Sequence, residues 1–438
     1  MTRMKKFLNY VLPSVLAMFV SSLYTIVDGM FVGRGVGDLA LAAVNLVMPF
    51  NIMLFGLATM FAVGGGAIVS KHLGAGEKEE ANHVFRQVFN FLLIVSLGIS
   101  LVCVIFAGPL VNGLGATEQT GLLAKDYLRF YAMFCIPNLL GIALNSFVRN
   151  DGRPRLAMIS TILGALTNIA LDYYFIFILG LGIKGAAIAT GLGQLVTIGV
   201  LLPHFILRKG ELSFGWVRFT GETIWNFTKI GIPSFLAEVT FSIIILLENQ
   251  VIVRMMGDIG LSAFSVINYL TTNVYMLLLG VAVGVQPLVS FNFGAKKQEK
   301  MLHFHKLSNG ASYVINIIFS GICFIWGREL IQVFSSNPDV IEIGYRGLNL
   351  FNLGFFLSGL NLNLTVYYQA IELPKYSNWI CVFRSVLIFP VCLLGAVYLW
   401  KTDGIWIAFL FSEAFSYIGI RLMANLRKLT HYQIGIIE

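Results

Sequence analysis

Apolar residues run through the chain in long stretches, broken by short clusters of Gly, Pro and charged residues. The stretches match the length that crosses a bilayer as a helix, about 20 residues. In the first half they fall near 8–32, 39–69, 84–107, 122–147, 156–180 and 185–207, and in the second near 229–252, 259–291, 304–326, 342–371, 376–399 and 404–426. The pattern predicts an all-α integral membrane protein with twelve transmembrane helices. Most connections are short, such as Gly33-Arg34-Gly35-Val36-Gly37-Asp38 and Arg149-Asn150-Asp151-Gly152-Arg153-Pro154. The longest polar interruption, 208–222 (RKGELSFGWVRFTGE), divides a six-helix lobe at 1–207 from a second at 223–438, with 208–222 as a cytoplasmic inter-lobe linker.

The halves are copies. Residues 13–79 laid on 233–299, a shift of 220, agree at 19 of 67 positions without a gap. The matches are rich in punctuation: Pro13-Ser14 with Pro233-Ser234, Gly37-Asp38 with Gly257-Asp258, and Gly74-Ala75 with Gly294-Ala295. The register persists at Pro154 and Pro374, then slips by one, so that Lys184-Gly185 meets Asp403-Gly404 and Gln194 meets Glu413. Six helices per copy place both copies the same way up, as two parallel six-helix bundles, an organisation common among secondary transporters. Gly64-Gly65-Gly66 in the second span, with Gly280 and Gly284 in its counterpart, fits either close helix packing or local unwinding.

Composition agrees: 57% hydrophobic residues, 12% charged and a mean hydropathy of +0.80 exclude an ordinary soluble domain. The net charge of +8 follows topology and does not point to nucleic acid. The termini and the loops after helices 2, 4, 6, 8 and 10 hold 21 Lys and Arg, against five on the other side (Arg34, Lys184, Arg254, Arg328, Lys401) and four within helices. The positive-inside bias places both termini in the cytoplasm of a cell with this protein in its inner membrane. The first span follows Arg3, Lys5 and Lys6, but it is too long for a signal peptide and is read as retained. All five cysteines (Cys103, Cys135, Cys323, Cys381, Cys392) lie in apolar stretches and read as packing residues.

A charge at mid-bilayer costs about 2.5–3.5 kcal/mol on insertion scales, so an acid kept inside a span is a functional candidate. Five qualify: Asp28, Asp172, Glu238, Glu248 and Glu413. Helices 1 and 5 both run outward, which brings Asp28 and Asp172 to similar depth in the outer half. Asn168 precedes Asp172 by one helical turn, and Thr190 and Tyr127 lie near the outer starts of helices 6 and 4. Asp28, Asn168, Asp172 and Thr190 together would suit a sodium ion, which prefers oxygen, and would equally suit a proton shared by the two carboxylates. The other reading, that interhelical hydrogen bonds satisfy these groups and only hold the lobe together, stays open here. Glu248 takes the repeat position of Asp28, while Cys392 takes that of Asp172, so the two lobes differ in chemistry. Glu238 and Glu413 lie near mid-membrane, where either can meet a cationic substrate, and with Glu248 they are the candidates for the substrate cavity. His303 and His305, among basic neighbours, read as solvated, and Glu342 with Arg346 as a local pair.

No metalloprotease spacing of His and acid, no nucleophilic Ser turn and no acid-rich magnesium motif is present, so no enzyme and no cofactor is expected. With segments Leu23–Gly37 (LYTIVDGMFVGRGVG), Asn168–Gly191 (NIALDYYFIFILGLGIKGAAIATG) and Gly231–Ser242 (GIPSFLAEVTFS), and Gly-Ala turns after helices 2 and 8, the chain resembles the multidrug and toxic compound extrusion (MATE) family. The resemblance covers nearly the whole chain. It implies two six-helix bundles alternating between inward-open and outward-open forms, exporting drug-like small molecules against inward H+ or Na+, and it is strongest to the prokaryotic DinF/MepA-like branch. It implies a cation site at Asp28, Asn168, Asp172 and Thr190, with Tyr127 nearby. The branch that keeps its acids on helices 7 and 10 fits less well, because Glu238 lies about a turn early and helix 10 has no mid-span acid. A monomer in the lipid bilayer is expected. The alternative is a lipid-linked precursor flippase of the related exporter superfamily, which would need a basic cavity, whereas mid-span Lys and Arg are scarce.

Overall fold

A computed structural model describes residues 2–426; the carboxyl-terminal cations Arg427 and Lys428 of the charge count lie outside the described residues. Those residues are almost wholly helical. The spans are α1 (Arg3–Gly35), α2 (Asp38–Ala75), α3 (Lys78–Ile105), α4 (Glu118–Met133 continued by Cys135–Asn150), α5 (Pro154–Ile178) and α6 (Gly182–Ile206). A continuous helical segment, Gly221–Gly294, turns at Gly257 and gives α7 (221–256) and α8 (258–294). Then follow α9 (Gln298–Gln332), α10 (Pro338–Ala370), α11 (Pro374–Trp400) and α12 (Thr402–Leu426). A short helix, Ala107–Gly113, joins α3 to α4. Twelve spans among the described residues match the sequence reading. α10 carries Asn349, Asn352, Asn361 and Asn363.

The repeat is written into the backbone. Eight of the eleven positions with positive φ among the described residues occur in register-related pairs: Gly37 (110°) with Gly257 (60°), Gly76 (86°) with Lys296 (57°), Gly152 (83°) with Glu372 (57°) and, after the one-residue slip, Gly182 (57°) with Lys401 (53°). Each marks a turn between successive spans. Glycine adopts this conformation without a Cβ clash, and in the second copy three of the four turns accept it in a larger residue.

By compactness the chain forms two units. The amino-terminal unit is Leu16–Phe235; the carboxyl-terminal unit is Met1–Val15 with Leu236–Glu438. The divisions fall within α1 and α7, two residues after Pro13 and Pro233. The amino-terminal unit therefore holds the first turns of α7, packed on α2 with Phe227 against Phe61 at 5.8 Å between ring centroids. The carboxyl-terminal unit holds the first turns of α1, with Phe7 and Val11 in a core with Val281, Val285 and Tyr367.

Gly64-Gly65-Gly66 remains helical and serves packing: a Cβ on Gly64 would stand 2.0 Å from the Phe227 carbonyl oxygen. α4 differs from the single straight span expected. It bends by 52° between Met133 and Cys135, where the Phe134 ring occupies the space a side chain on Gly191 of α6 would take, and Asn138 Nδ2 donates to Tyr131 Oη across the bend at 2.5 Å. Two surface readings are also corrected. Glu342 pairs with Arg328 at 2.6 Å and Arg346 with Asp403, because the loops before α10 and α12 bring closer partners than the helical neighbour. His305 is buried, its ring 4.6 Å from that of Tyr367, because α9 turns this face toward α10 despite its basic neighbours.

The linker is fastened to the amino-terminal unit. Lys78, Asn82, Arg86, Gln87 and Asn90 along α3 reach Glu211, Ser213, Arg218 and Gly215, and Phe214 packs on Phe89 at 4.7 Å. At its root Asp151 contacts His204 Nε2 at 2.7 Å and accepts from the backbone N–H groups of Glu211 (2.9 Å) and Leu212 (3.3 Å). Both side chains are buried. Breaking such a pair leaves its partner without compensation, at a cost of about 3 kcal/mol. Asp151→Ala is thus expected to lower the melting temperature in detergent and to speed tryptic cleavage at Arg208 and Lys209; equal melting and equal cleavage rates would refute the clamp.

Candidate cation site

α5 and α6 cross closely because both carry glycine at the contact: a Cβ on Gly193 would meet the Gly164 carbonyl oxygen at 2.8 Å and Asn168 Cβ at 3.1 Å. This approach sets Asn168 beside Thr190, with Asn168 Nδ2 donating to Thr190 Oγ1 at 3.4 Å and Thr190 Oγ1 donating to the Ala186 carbonyl at 3.0 Å. One turn along α5, just before its π-helical end at Tyr174–Ile178, lies Asp172, with no exposed surface. Across from it the Asp28 carboxyl of α1 lies within hydrogen-bonding reach of the Asp172 carboxyl, and the Asn168 amide flanks the same group. Tyr127 of α4 stands near both acids, with Asn51 of α2 beside it, and its ring stacks on Tyr131 at 5.9 Å. Tyr24, one turn before Asp28, closes another side.

Buried polar groups in proteins nearly always find a partner. Here Asp28 Oδ1, Asp172 Oδ1 and Oδ2, Asn168 Oδ1 and Asn51 Oδ1 are buried and meet no donor. All five are acceptors. A proton between the carboxylates or a hard cation among the oxygens would complete such a set of acceptors. Asp28, Asn168, Asp172, Thr190 and Tyr127 are thus brought together in one unit. Asn51 and Tyr24 were missed in the sequence; an Asn within an otherwise apolar part of α2 was the available signal for the first.

The other three acids lie in the carboxyl-terminal unit. Glu248 is buried, with Oε1 lacking a donor. Glu413 of α12 is engaged by Arg384 and Asn361. Glu238 of α7 is partly exposed, near Tyr275.

A duplicated bundle of membrane-spanning helices that retains acids in its interior is the architecture of a membrane transporter. The MatE family model matches residues 13–174 and, again, 233–394. The chain belongs to the MatE family of multidrug export transporters and is a multi-pass membrane protein. It is similar to the multidrug export protein MepA of Staphylococcus saprophyticus, 25% identical over 390 residues, which span 88% of this chain and 86% of the relative. MepA of Staphylococcus aureus is 24% identical, over 92% and 89% of the respective chains. Among solved structures, an outward-facing MATE family multidrug resistance transporter of the MOP superfamily shares the fold with a TM-score of 0.91 at 22% identity, over 98% of this chain and 96% of that one. A MOP superfamily transporter from Pyrococcus furiosus, described as having a binding pocket of reverse polarity, aligns with a TM-score of 0.89 at 22% identity over the same shares.

Proposed function

We propose that this protein is a secondary active multidrug exporter, an antiporter that moves organic, amphipathic and predominantly cationic compounds outward against inward H+ or Na+ by alternating access. The observation that carries the reading is the cluster of five buried, donor-free oxygens on Asp28, Asp172, Asn168 and Asn51, inside a chain of the MatE family. The residues fit an oxygen-seeking monovalent ion: Asp28 and Asp172 would supply the charge, and Asn168 and Thr190 neutral ligands. Binding the ion or proton would repack α1, α5 and α6, and this can drive transport only if the two conformations differ in affinity for it. The names of the MepA relatives support a drug-like cargo. In this reading the protein works as a monomer without a cofactor, in the cell membrane, with both termini cytoplasmic and no catalytic chemistry.

The test is efflux of a fluorescent organic cation in everted vesicles, driven in turn by a proton gradient and by a sodium gradient. Dye movement that follows one gradient and collapses with the matching ionophore is the expected result and names the ion. Dye movement indifferent to both gradients would refute the antiport.

A further inference from the structure

The carboxyl-terminal unit carries polar side chains in the seam between α9 and α10, where the amino-terminal copy is apolar. Along α9 they fall at His305, Asn309, Ser312, Asn316 and Ser320, three or four residues apart and so on one helical face, over about 22 Å at 1.5 Å per residue. α10 answers from its facing side. Asn363 Nδ2 donates to Asn309 Oδ1 and to Ser312 Oγ, both at 3.0 Å, Asn316 Nδ2 donates to the Phe355 carbonyl at 2.9 Å, and Asn352 Nδ2 donates to Ser320 Oγ at 2.9 Å. In the register of the repeat, His305, Asn309, Ser312 and Asn363 stand where the first copy has Phe85, Phe89, Leu92 and Ala143. Phe85 packs on Phe147 at 5.0 Å in a core that also holds Leu92 and Ala143. The outer ends of the two seams still match: Ser100 donates to the Ala132 carbonyl, where Asn352, the repeat partner of Ala132, donates to Ser320.

The amide ladder is satisfied on one side only. Asn363, Asn316 and Asn352 direct their N–H donors across the seam, and each leaves a buried Oδ1 without a donor. For Asn316 the orientation is fixed, because the Phe355 carbonyl can only accept. At the other end Asn309 Nδ2 faces His305 Nε2 at 3.5 Å, so the proton of the neutral ring falls on Nδ1, which is buried and meets no acceptor. Ser312, Asn316 and Ser320 mark levels about 6 Å apart along α9. One ion, with oxygens at about 2.4 Å, does not span such levels. Water, which both donates and accepts, completes each of them. Asn309 is partly exposed, whereas past Asn352 and Ser320 the seam meets Cys323, Ile331 and Leu348 of an apolar core.

We propose that the α9–α10 seam is a water-binding half-channel. A file of water enters beside His305 and Asn309, at the end that is cytoplasmic in the topology proposed above, bonds Asn363, Asn316 and Asn352 in turn, and ends under the apolar cap. It admits water to the membrane interior of one repeat and not the other, by a route separate from Asp28 and Asp172. The half-channel goes beyond the exporter reading and does not depend on it. A ladder that only fastens α9 to α10 would hold no exchangeable water.

Hydroxyl radicals generated by X-rays oxidise side chains that touch bound water even where bulk solvent is excluded. In the purified wild type in detergent, His305 and Tyr367, whose rings lie 4.6 Å apart, are expected to be oxidised about tenfold or more faster than their repeat partners Phe85 and Phe147. All four are buried, with exposures of 4% or less, so bulk access does not distinguish them. Equal rates overturn the proposal, and no variant has to fold for that result. Entry is read from thiols, with the five buried native cysteines as the common background. Ser312→Cys should react with a methanethiosulfonate ethylammonium reagent about tenfold or more faster than Leu92→Cys, because the thiolate that reacts needs water around it. Adding Asn309→Phe, which restores the side chain of the amino-terminal copy, should return Ser312→Cys to the Leu92→Cys rate. A Ser312→Cys thiol as slow as that of Leu92→Cys, or one that Asn309→Phe leaves fast, overturns the half-channel even with a positive footprint. Neither readout involves transport, so a failed efflux test counts against the exporter reading alone.

Discussion

Asp172→Asn is expected to reduce gradient-driven efflux to the level of vesicles lacking the protein, with normal accumulation in the membrane. The substitution keeps shape and removes one charge from a place with no exposed surface and no donor. Two carboxylate charges about 4 Å apart repel by ~4 kcal/mol at an effective dielectric of 20. Relief of that repulsion by a proton or cation is comparable to the drive available, ~2.3 kcal/mol per unit charge per 100 mV. With Asn at 172 the repulsion vanishes, and ion affinity falls by about three orders of magnitude, since each 1.4 kcal/mol is tenfold. Asn168→Ala removes a neutral ligand and should weaken coupling by only about fivefold, the ~1 kcal/mol of one ordinary polar contact. The ranking, with Asp172→Asn far below Asn168→Ala, is read from initial rates of ethidium efflux normalised to protein amount. Melting in detergent should show Asp172→Asn at least as stable as wild type, because a buried charge has been removed. Driven efflux above about a tenth of wild type in Asp172→Asn would sink the coupling role.

Much of this site was legible in the sequence because helical spacing and topology constrain it. Asn168 and Asp172 are one turn apart, and two outward-running helices place Asp28 at the same depth. What escaped was whatever reaches the site from a different helix without a charge to announce it. Asn51 is one amide within the apolar run of α2, and Tyr24 one aromatic residue among many. In the carboxyl-terminal unit Arg384 was counted among the helical cations but not matched to Glu413, 29 positions on, because its partner is set by the π-helical turn Phe383–Ile388 of α11 and by Asn361 from a third helix. His305 was misjudged for a related reason: its neighbours in sequence are basic, but its neighbours in space are Tyr367 and Asn309. The fold was more legible than the contacts, since span count and duplication follow from patterns along the chain. The passage of α1 and α7 from one compact unit to the other left no such trace.

The glycines of that passage carry the second large expectation: Gly231→Ala should prevent stable assembly of the amino-terminal unit, while Gly284→Ala at the other crossing should cost less. α2 and the first turns of α7 approach so closely that a Cβ on Gly231 would lie 1.9 Å from the Met60 carbonyl oxygen, and one on Gly64 2.0 Å from that of Phe227. The obstructing atoms are backbone, held in helices, so no rotamer relieves them. The helices must separate across a core that includes Phe61, Ala62 and Phe227. Overpacking of a fitted core costs about 1–3 kcal/mol even where side chains can yield, and here the cost should exceed the upper end of that range. In the carboxyl-terminal unit α8 meets the first turns of α1 through Gly284, the repeat partner of Gly64. A Cβ there would stand 2.9 Å from Val11 Cα and 3.0 Å from Ser14 Cβ, an overlap about 1 Å smaller than at Gly231. Gly98, with nothing within 4 Å, serves as the control. Folded yield and melting temperature should therefore fall in the order Gly98→Ala, Gly284→Ala, Gly64→Ala and Gly231→Ala, the last two close together. If Gly231→Ala melts with wild type, the helices are not in the backbone contact that gives each unit the start of the other repeat's first helix.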